Sequence, residues 1–260
     1  MISIIIVTYN SSKYIYKCLE SIFKSNLKNI NIEIIIVDNK SKKDIVIENP
    51  NVTTYLMDKN IGYSKALNYG ISKSKYSTIL IVNPDTYVLK NSIFNIYTYY
   101  HSLKKESIVG CKILNYNSTF QYSSRRKFPY FKYLIPHIFK LNFIGLQNKY
   151  NYSTISEKNT HNVDCASGSF MLFPKSLYNK LDGFDERFFL YFEDTDFCVR
   201  AKKIDSDIIY FSDSTVFHKK YGSTTYKNYF FVRFHFYLSF IKFYFKHFND
   251  YLIFNKEDIN

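Results

Sequence analysis

Several short polar clusters in this 260-residue chain stand at the ends of apolar runs, where side chains can meet a ligand. Thr8-Tyr9-Asn10 follows residues 2–7, Asp38-Asn39 follows residues 34–37, and Asn83-Pro84-Asp85-Thr86 follows Thr78–Val82. The last of these taken alone is a strand-ending turn, because Asn, Pro and Asp populate turns for local reasons. With Asp38 ending a second apolar run, it reads as a place for a hard cation held by carboxylate oxygen. Glu193-Asp194-Thr195-Asp196 packs acid behind Phe188, Phe189, Tyr191 and Phe192. It also reads as the acidic first turn of a helix whose far end carries Arg200, Lys202 and Lys203. Arg125 and Arg126 are either solvated loop charges or a bidentate clamp on phosphate. His218 stands alone, and a lone histidine is more often structural than a ligand.

The elements that must position these clusters follow from hydrophobic periodicity. Residues 2–7, residues 34–37, Val52–Leu56 and Thr78–Val82 read as buried strands, while Ile15, Cys18, Leu19, Ile22 and Phe23 recur at helical spacing and Tyr63–Ser72 reads as a second helix. Strands alternating with helices predict an α/β fold with a doubly wound, mainly parallel sheet. Ligands in such sheets bind outside the carboxyl ends of the strands, so the three N-terminal clusters are expected to converge on one crevice. Residues 116–160 lack periodicity and predict a long insertion over that crevice. Near the C-terminus Asn228, His235, Ser239, Lys242, Lys246 and Asn249 form one narrow polar stripe on an otherwise apolar helix. Such a helix is either packed under the domain or laid in a membrane interface.

Composition removes other classes. Hydrophobic residues make up 46% and charged residues 22%, which excludes a disordered or fibrous chain. Lys plus Arg number 35 against 22 Asp plus Glu, and the resulting +13 attracts polyanions: nucleic acid, anionic lipid or phosphorylated substrates. The four cysteines form no CxxC pair, which argues against a zinc site or disulfide framework and for a reducing compartment. The N-terminus has no basic lead before its short apolar run, and no uncharged apolar stretch reaches membrane-spanning length; neither a signal peptide nor a transmembrane helix is expected. With seven glycines the chain holds neither GxGxxG nor a P-loop. No nucleic-acid-binding motif is present, and a basic RNA- or DNA-binding protein is disfavoured because the aromatics fall at core-like spacings.

In combination the motifs resemble glycosyltransferase family 2, the inverting nucleotide-sugar enzymes with a GT-A fold, and more closely its bacterial rhamnosyltransferase-like branch. The resemblance rests on Val7-Thr8-Tyr9-Asn10, Val37-Asp38-Asn39-Lys40-Ser41, Asn60-Ile61-Gly62-Tyr63 with Asn68 and Gly70, Asn83-Pro84-Asp85-Thr86, Ser167-Gly168-Ser169-Phe170-Met171, the segment from Gly183-Phe184-Asp185-Glu186 through Glu193-Asp194-Thr195-Asp196, and His218. It implies a GT-A domain over 1–225, with a nucleotide-binding half at 1–115 and an acceptor half at 116–225, followed by an aromatic, basic helical extension over 226–260.

The same resemblance implies roles. Thr8, Tyr9, Asn10, Asp38 and Asn39 would lie at the nucleoside, Asn60 and Gly62 would bring backbone close to the ligand, and Asn68 would brace the loop or touch the nucleotide. Asn83-Pro84-Asp85 stands where such enzymes carry a DxD metal motif, with Asn83 replacing the first acid. Asp85 and His218 would then hold Mg2+ or Mn2+, largely through substrate phosphate and water. Asp194 would be the base that deprotonates the acceptor, its pKa raised by the surrounding rings and by Glu193. Arg125 and Arg126 would clamp phosphate.

The expected activity is transfer of rhamnose from dTDP-rhamnose to a lipid-linked bacterial surface glycan, an O-antigen or capsule repeat, at the inner face of the cell membrane. The alternatives are a UDP-hexose-dependent enzyme of the same family and a non-catalytic sugar-nucleotide-binding scaffold.

Overall fold

The computed structural model describes residues 1–43, 45–129, 150–219 and 229–248. β1 (Ile2–Thr8), β2 (Ile32–Asp38), β3 (Val52–Leu56) and β4 (Thr78–Val82) run parallel in the spatial order β3-β2-β1-β4. All seven residues of β1 and all five of β4 are buried. That burial explains unbroken β-branched runs in place of a polar alternation. Odd and even positions still face different layers. Ile2, Ile4, Ile6, Ile34 and Ile36 pack with α1 (Ser12–Phe23) and α3 (Ser92–Ser102), whereas Ile5, Val7, Ile35 and Val37 pack with α2 (Tyr63–Ser72) and α5 (Glu193–Lys203). The sheet is therefore covered on both faces, as the alternation of elements predicts. The four cysteines are buried free thiols.

The C-terminal half extends this sheet. β10 (Phe170–Pro174) runs antiparallel between β4 and β6 (Ser107–Leu114), then β11 (Asp207–His218) lies parallel to β6, and β5 (Thr86–Val88) closes the edge antiparallel to β11. β10 is reversed because it starts at the end where β4 stops: Phe170 pairs with Val82. A further strand, β8 (His161–Asn162), pairs with β11, and a short helix, α4 (Lys175–Lys180), follows β10.

Two expectations are corrected. Thr86 is not part of the turn after β4 but the first residue of β5, and its pairing with His218 carries that histidine to the Asn83-Pro84-Asp85 turn. Within the 116–160 segment, expected to lack regular structure, β7 (Arg125–Arg126) pairs antiparallel with β9 (Cys165–Ala166). Two-residue strands are too short to leave a periodicity. Residues 130–149 of the expected insertion lie outside the described residues.

α6 (Tyr229–Lys246) packs on α5 and on the loop before it through Phe236, Phe240, Phe243 and Tyr244, and residues of its polar stripe bond to the domain on the same side. Ser239 Oγ donates to Leu190 O, Lys242 Nζ to Arg187 O, and Lys246 Nζ reaches both Asp185 and Asp196. His247 donates to Asp196 Oδ1 at 2.8 Å, and Arg200 pairs with Oδ2 of the same carboxylate at 2.7 Å. Burial alone would raise the Asp196 pKa; His247, Arg200 and Lys246 more than reverse it and lower it. Asn228 and Asn249 of the predicted stripe lie outside the described residues. Among the described residues, no helix is long and apolar enough to cross a membrane.

Candidate active site

The adjacent carboxyl ends of β1, β2 and β4 bring three of the polar clusters together. Asp38 is buried, and both of its side-chain bonds fall on Oδ1, from Thr8 Oγ1 at 3.3 Å and the Ser41 amide at 3.0 Å. Among the described residues Oδ2 makes no hydrogen bond, which leaves it for a ligand donor. Tyr9 is 39% exposed beside this pair. Asn10 adopts φ +55°, a left-handed conformation that Asn tolerates, and its Oδ1 accepts from the Lys42 amide while its own amide donates to Ser41 Oγ. It ties the β1 and β2 loops together.

Asn39, Asn60 and Gly62 do a different job from the one expected. Asn39 accepts from the Ile61 amide and donates to Gly62 O, and Asn60 Oδ1 accepts from the Gly62 amide. These side-chain bonds shape the loop from within. Gly62 is required by a close approach to protein: at φ +87°, a Cβ would lie 2.8 Å from the Phe189 ring and 3.0 Å from Phe189 O. Asn68 braces and does not face the nucleoside end, since it accepts from the Phe184 amide and Tyr178 OH and donates to Phe184 O and Glu186.

The turn after β4 meets the end of β11. His218 Nε2 lies 3.2 Å from Asp85 Oδ1, both groups being largely buried. Gln121 sets the imidazole. Its amide nitrogen donates to His218 O and Asn115 Oδ1, which turns Oε1 towards His218 Nδ1 at 3.3 Å. Assigned from those partners, Nδ1 carries the hydrogen and Nε2 presents a lone pair. An imidazole lone pair and a carboxylate oxygen facing each other at this distance call for a cation, either a proton on Nε2 or a divalent metal. The donor set of one carboxylate and one imidazole fits Mg2+ or Mn2+ completed by phosphate and water, with Gln121 as the outer partner that fixes the ligand. Asn83 supplies no carboxylate; its Oδ1 accepts from Tyr63 OH at 2.9 Å and its Nδ2 approaches His218.

Asp194 sits at the start of α5 and is linked to this cluster by contacts through Ser169 and Gly168. The Asn83 amide donates to Ser169 O, and the neighbouring Gly168 amide donates to Asp194 Oδ2 at 3.1 Å. Arg126 donates to the same oxygen at 2.7 Å, while Thr195 donates twice to Oδ1. A Cβ on Gly168 would crowd the Asp194 Cβ at 3.2 Å, so a glycine permits this contact. Tyr191 and Phe192, immediately before α5, both have left-handed φ, at 68° and 67°. Such residues are strained by about 1–3 kcal/mol each and need surroundings that hold them. Phe192 is held by Phe236, Phe240 and Phe243 of α6.

Phe188 and Phe192, before Asp194, pack into the core and against α6, and the neighbouring carboxyl Glu193 is buried. Burial first, then the Asp194 charge, pushes Glu193 up to about 8. Its Oε2 is buried with no hydrogen-bond partner among the described residues. Tyr63 is likewise pushed up, by burial and by Glu193, Asp194 and Asp85.

The two arginines separate. Arg126 reaches Asp194 and serves a carboxylate, not a phosphate clamp. Arg125 is fully buried; its guanidinium donates to the carbonyls of Tyr152, Ile155 and Ser156 and lies between the Phe120 and Tyr210 rings, 5.1 and 4.8 Å from their centroids. It is a core residue, because adjacent strand residues face opposite sides. Gln121 and Gly168 were not singled out as site residues, and no spacing marks Gln121. Tyr63 lay inside a recognised motif without an assigned role.

The model of the family described as Glycosyl transferase family 2 matches residues 3–182. The low-salt glycan biosynthesis hexosyltransferase Agl10 of Haloferax volcanii is 29% identical over 211 residues, 78% of this chain and 62% of the relative. Rhamnosyltransferase WbbL of Escherichia coli K12 is 27% identical over 210 residues, 77% of this chain and 76% of the relative. Among solved structures, S. aureus TarS 1-349 in complex with UDP-GlcNAc is similar with a TM-score of 0.57 at 19% identity, over 86% of this chain and 61% of that one. Mannosyltransferase PcManGT from Pyrobaculum calidifontis, in complex with GDP-Man and Mn2+, gives 0.58 at 15% identity, over 84% and 56%. The chain thus spans less than two thirds of the length of Agl10 and of these two structures. The structural likeness identifies the GT-A fold, and the family match over more than two thirds of this chain identifies the rest: the protein belongs to glycosyltransferase family 2.

Proposed function

We propose that the chain is an inverting glycosyltransferase that moves rhamnose from dTDP-rhamnose to a lipid-linked bacterial surface glycan such as an O-antigen or capsule repeat. The observation that carries this reading is the Asp194 carboxylate, held by Arg126 and the Gly168 amide and joined through Ser169 to the Asp85–His218 pair. Asp194 takes the proton of the acceptor hydroxyl as that oxygen attacks the anomeric carbon from the face opposite the nucleotide. One displacement inverts the centre. Asp85 and His218 would hold Mg2+ or Mn2+, which when bound supplies positive charge to the departing diphosphate. Asp38, with Thr8 and Tyr9 beside it, receives the nucleoside through its free Oδ2.

WbbL, named a rhamnosyltransferase, supports the rhamnose donor. A UDP-hexose donor is the second reading, favoured by the name hexosyltransferase of Agl10 and the UDP-GlcNAc complex of TarS. A lipid-linked acceptor places the work at the cytoplasmic face of the cell membrane. The test is thermal shift with dTDP-rhamnose, UDP-glucose, UDP-galactose and UDP-N-acetylglucosamine, each with Mn2+, Mg2+ or chelator. A metal-dependent shift with dTDP-rhamnose is expected. A shift with a UDP-sugar alone transfers the assignment to the second reading, a shift without turnover of labelled donor assigns a non-catalytic sugar-nucleotide-binding scaffold, and no shift with any donor overturns both donor readings.

A further inference from the structure

α6 packs one aromatic face, with Phe236, Phe240, Phe243 and Tyr244, against the domain and turns a second apolar face to solvent. Phe234, Tyr237, Ile241, Phe245 and Phe248 recur at three- and four-residue spacing along one face and are 43–82% exposed. A surface helix ordinarily presents polar residues on its solvent side. The orientation is locked by the packed side, where, beside those buried rings, Ser239, Lys242, Lys246 and His247 bind carbonyls and carboxylates of the domain. Rolling the helix to bury the stripe would take Lys246 and His247 from Asp196, which is fully buried and cannot be solvated instead. The stripe is therefore a built feature of the fold. At about 1.5 Å per residue it runs roughly 20 Å along the surface, a contiguous apolar patch of the kind that marks an interaction site.

Charge selects the occupant. Lys242 and Lys246 are engaged by the domain, whereas Arg233 is exposed beside Tyr237 of the stripe; α6 carries no acid, and the whole chain carries +13. An anionic apolar phase satisfies both features at once, whereas a second copy seated on this face would bring two strongly positive chains together. Packed along one side and not apolar enough to cross a membrane, the helix suits lying in a bilayer surface with its exposed rings about 5–10 Å deep. We infer that the exposed aromatic face of α6 is an in-plane docking surface for a membrane containing anionic lipid. The inference rests on how α6 packs and not on the donor or acceptor, so the two readings fail separately. Because α6 also braces Phe192, docking would hold the Asp194 loop near an acceptor carried in that membrane.

The test is co-sedimentation of the full chain with vesicles of phosphatidylcholine alone and with about one quarter phosphatidylglycerol, at roughly 0.1 M salt where surface charge still acts. Wild-type chain is expected to partition at least about tenfold better to the anionic vesicles, and Phe234→Ser/Ile241→Ser/Phe245→Ser to lose about tenfold or more with its melting temperature unchanged. Should the triple variant misfold, Phe245→Glu alone, at the most exposed of the five positions, carries the same expectation. Equal partitioning of folded variant and wild type overturns the inference. So does a wild-type dimer, seen by sedimentation velocity, that the variant converts to monomer, which would assign the face to a second copy. Binding that appears only after deletion of residues 250–260 would assign it to the chain's own C-terminal segment.

Discussion

Arg126 and Asp194 form a largely buried ion pair at 2.7 Å, on the same carboxylate oxygen that accepts the Gly168 amide. Burial opposes the charge on Arg126, and the Asp194 carboxylate outweighs it, so the guanidinium is held more firmly protonated than in water. The pair fixes the rotamer of the proposed base. Asp194→Asn keeps the shape and removes the proton acceptor; turnover is expected to fall about 10²–10⁴-fold with donor affinity nearly unchanged. Arg126→Gln leaves the acid but frees its orientation, and kcat is expected to fall by up to about 10²-fold. Steady-state kinetics beside donor titration checks both; a normal kcat in Asp194→Asn removes that residue from the chemistry.

Glu193 makes stability depend on pH. Its folded pKa of about 8 lies above its ordinary 4.5, so between those values the folded chain keeps a proton that the unfolded chain has released. Its contribution is fully present below about pH 4.5 and is lost as pH rises through 8, with a slope of at most about 1.4 kcal/mol per pH unit. Glu193→Gln, which cannot ionise, is expected to flatten that slope and to gain on wild type as pH rises. Urea unfolding at several pH values across this range reads the difference directly.

Gln121 holds His218 by two opposed contacts, one to its backbone carbonyl and one to Nδ1. Gln121→Ala is expected to weaken Mn2+ binding in the presence of donor about 10–100-fold, the usual cost of losing a metal ligand's outer partner. Isothermal titration with Mn2+ and donor measures it. Unchanged affinity would show that Asp85 and His218 do not hold the metal.

Arg125→Leu separates structure from recognition. The substitution leaves three carbonyls without their charged donor and is expected to destabilise the fold by about 3 kcal/mol or more. Donor affinity, measured below the lowered melting temperature, is expected to stay at the wild-type value. A selective loss of donor binding would return Arg125 to the phosphate-clamp role.

The chain's own order of residues determined the strands, because unbroken Ile and Val runs can be buried on both sides only inside a covered sheet. It equally placed Asp38 and Asp85 at strand ends and Asp194 at a helix start, since those follow from where each run stops. Tertiary structure alone decided partners. Arg125 and Arg126 are consecutive, yet one enters the core and the other reaches Asp194, 68 residues away. Gln121 finds His218 across 97 residues, and no local pattern links them. The polar stripe of α6 was legible as a stripe, but which side faced the protein depended on Asp185 and Asp196 waiting on other elements. Burial of Glu193 has the same origin. Periodicity is a property of neighbours along the chain, whereas desolvation and pairing belong to neighbours in space.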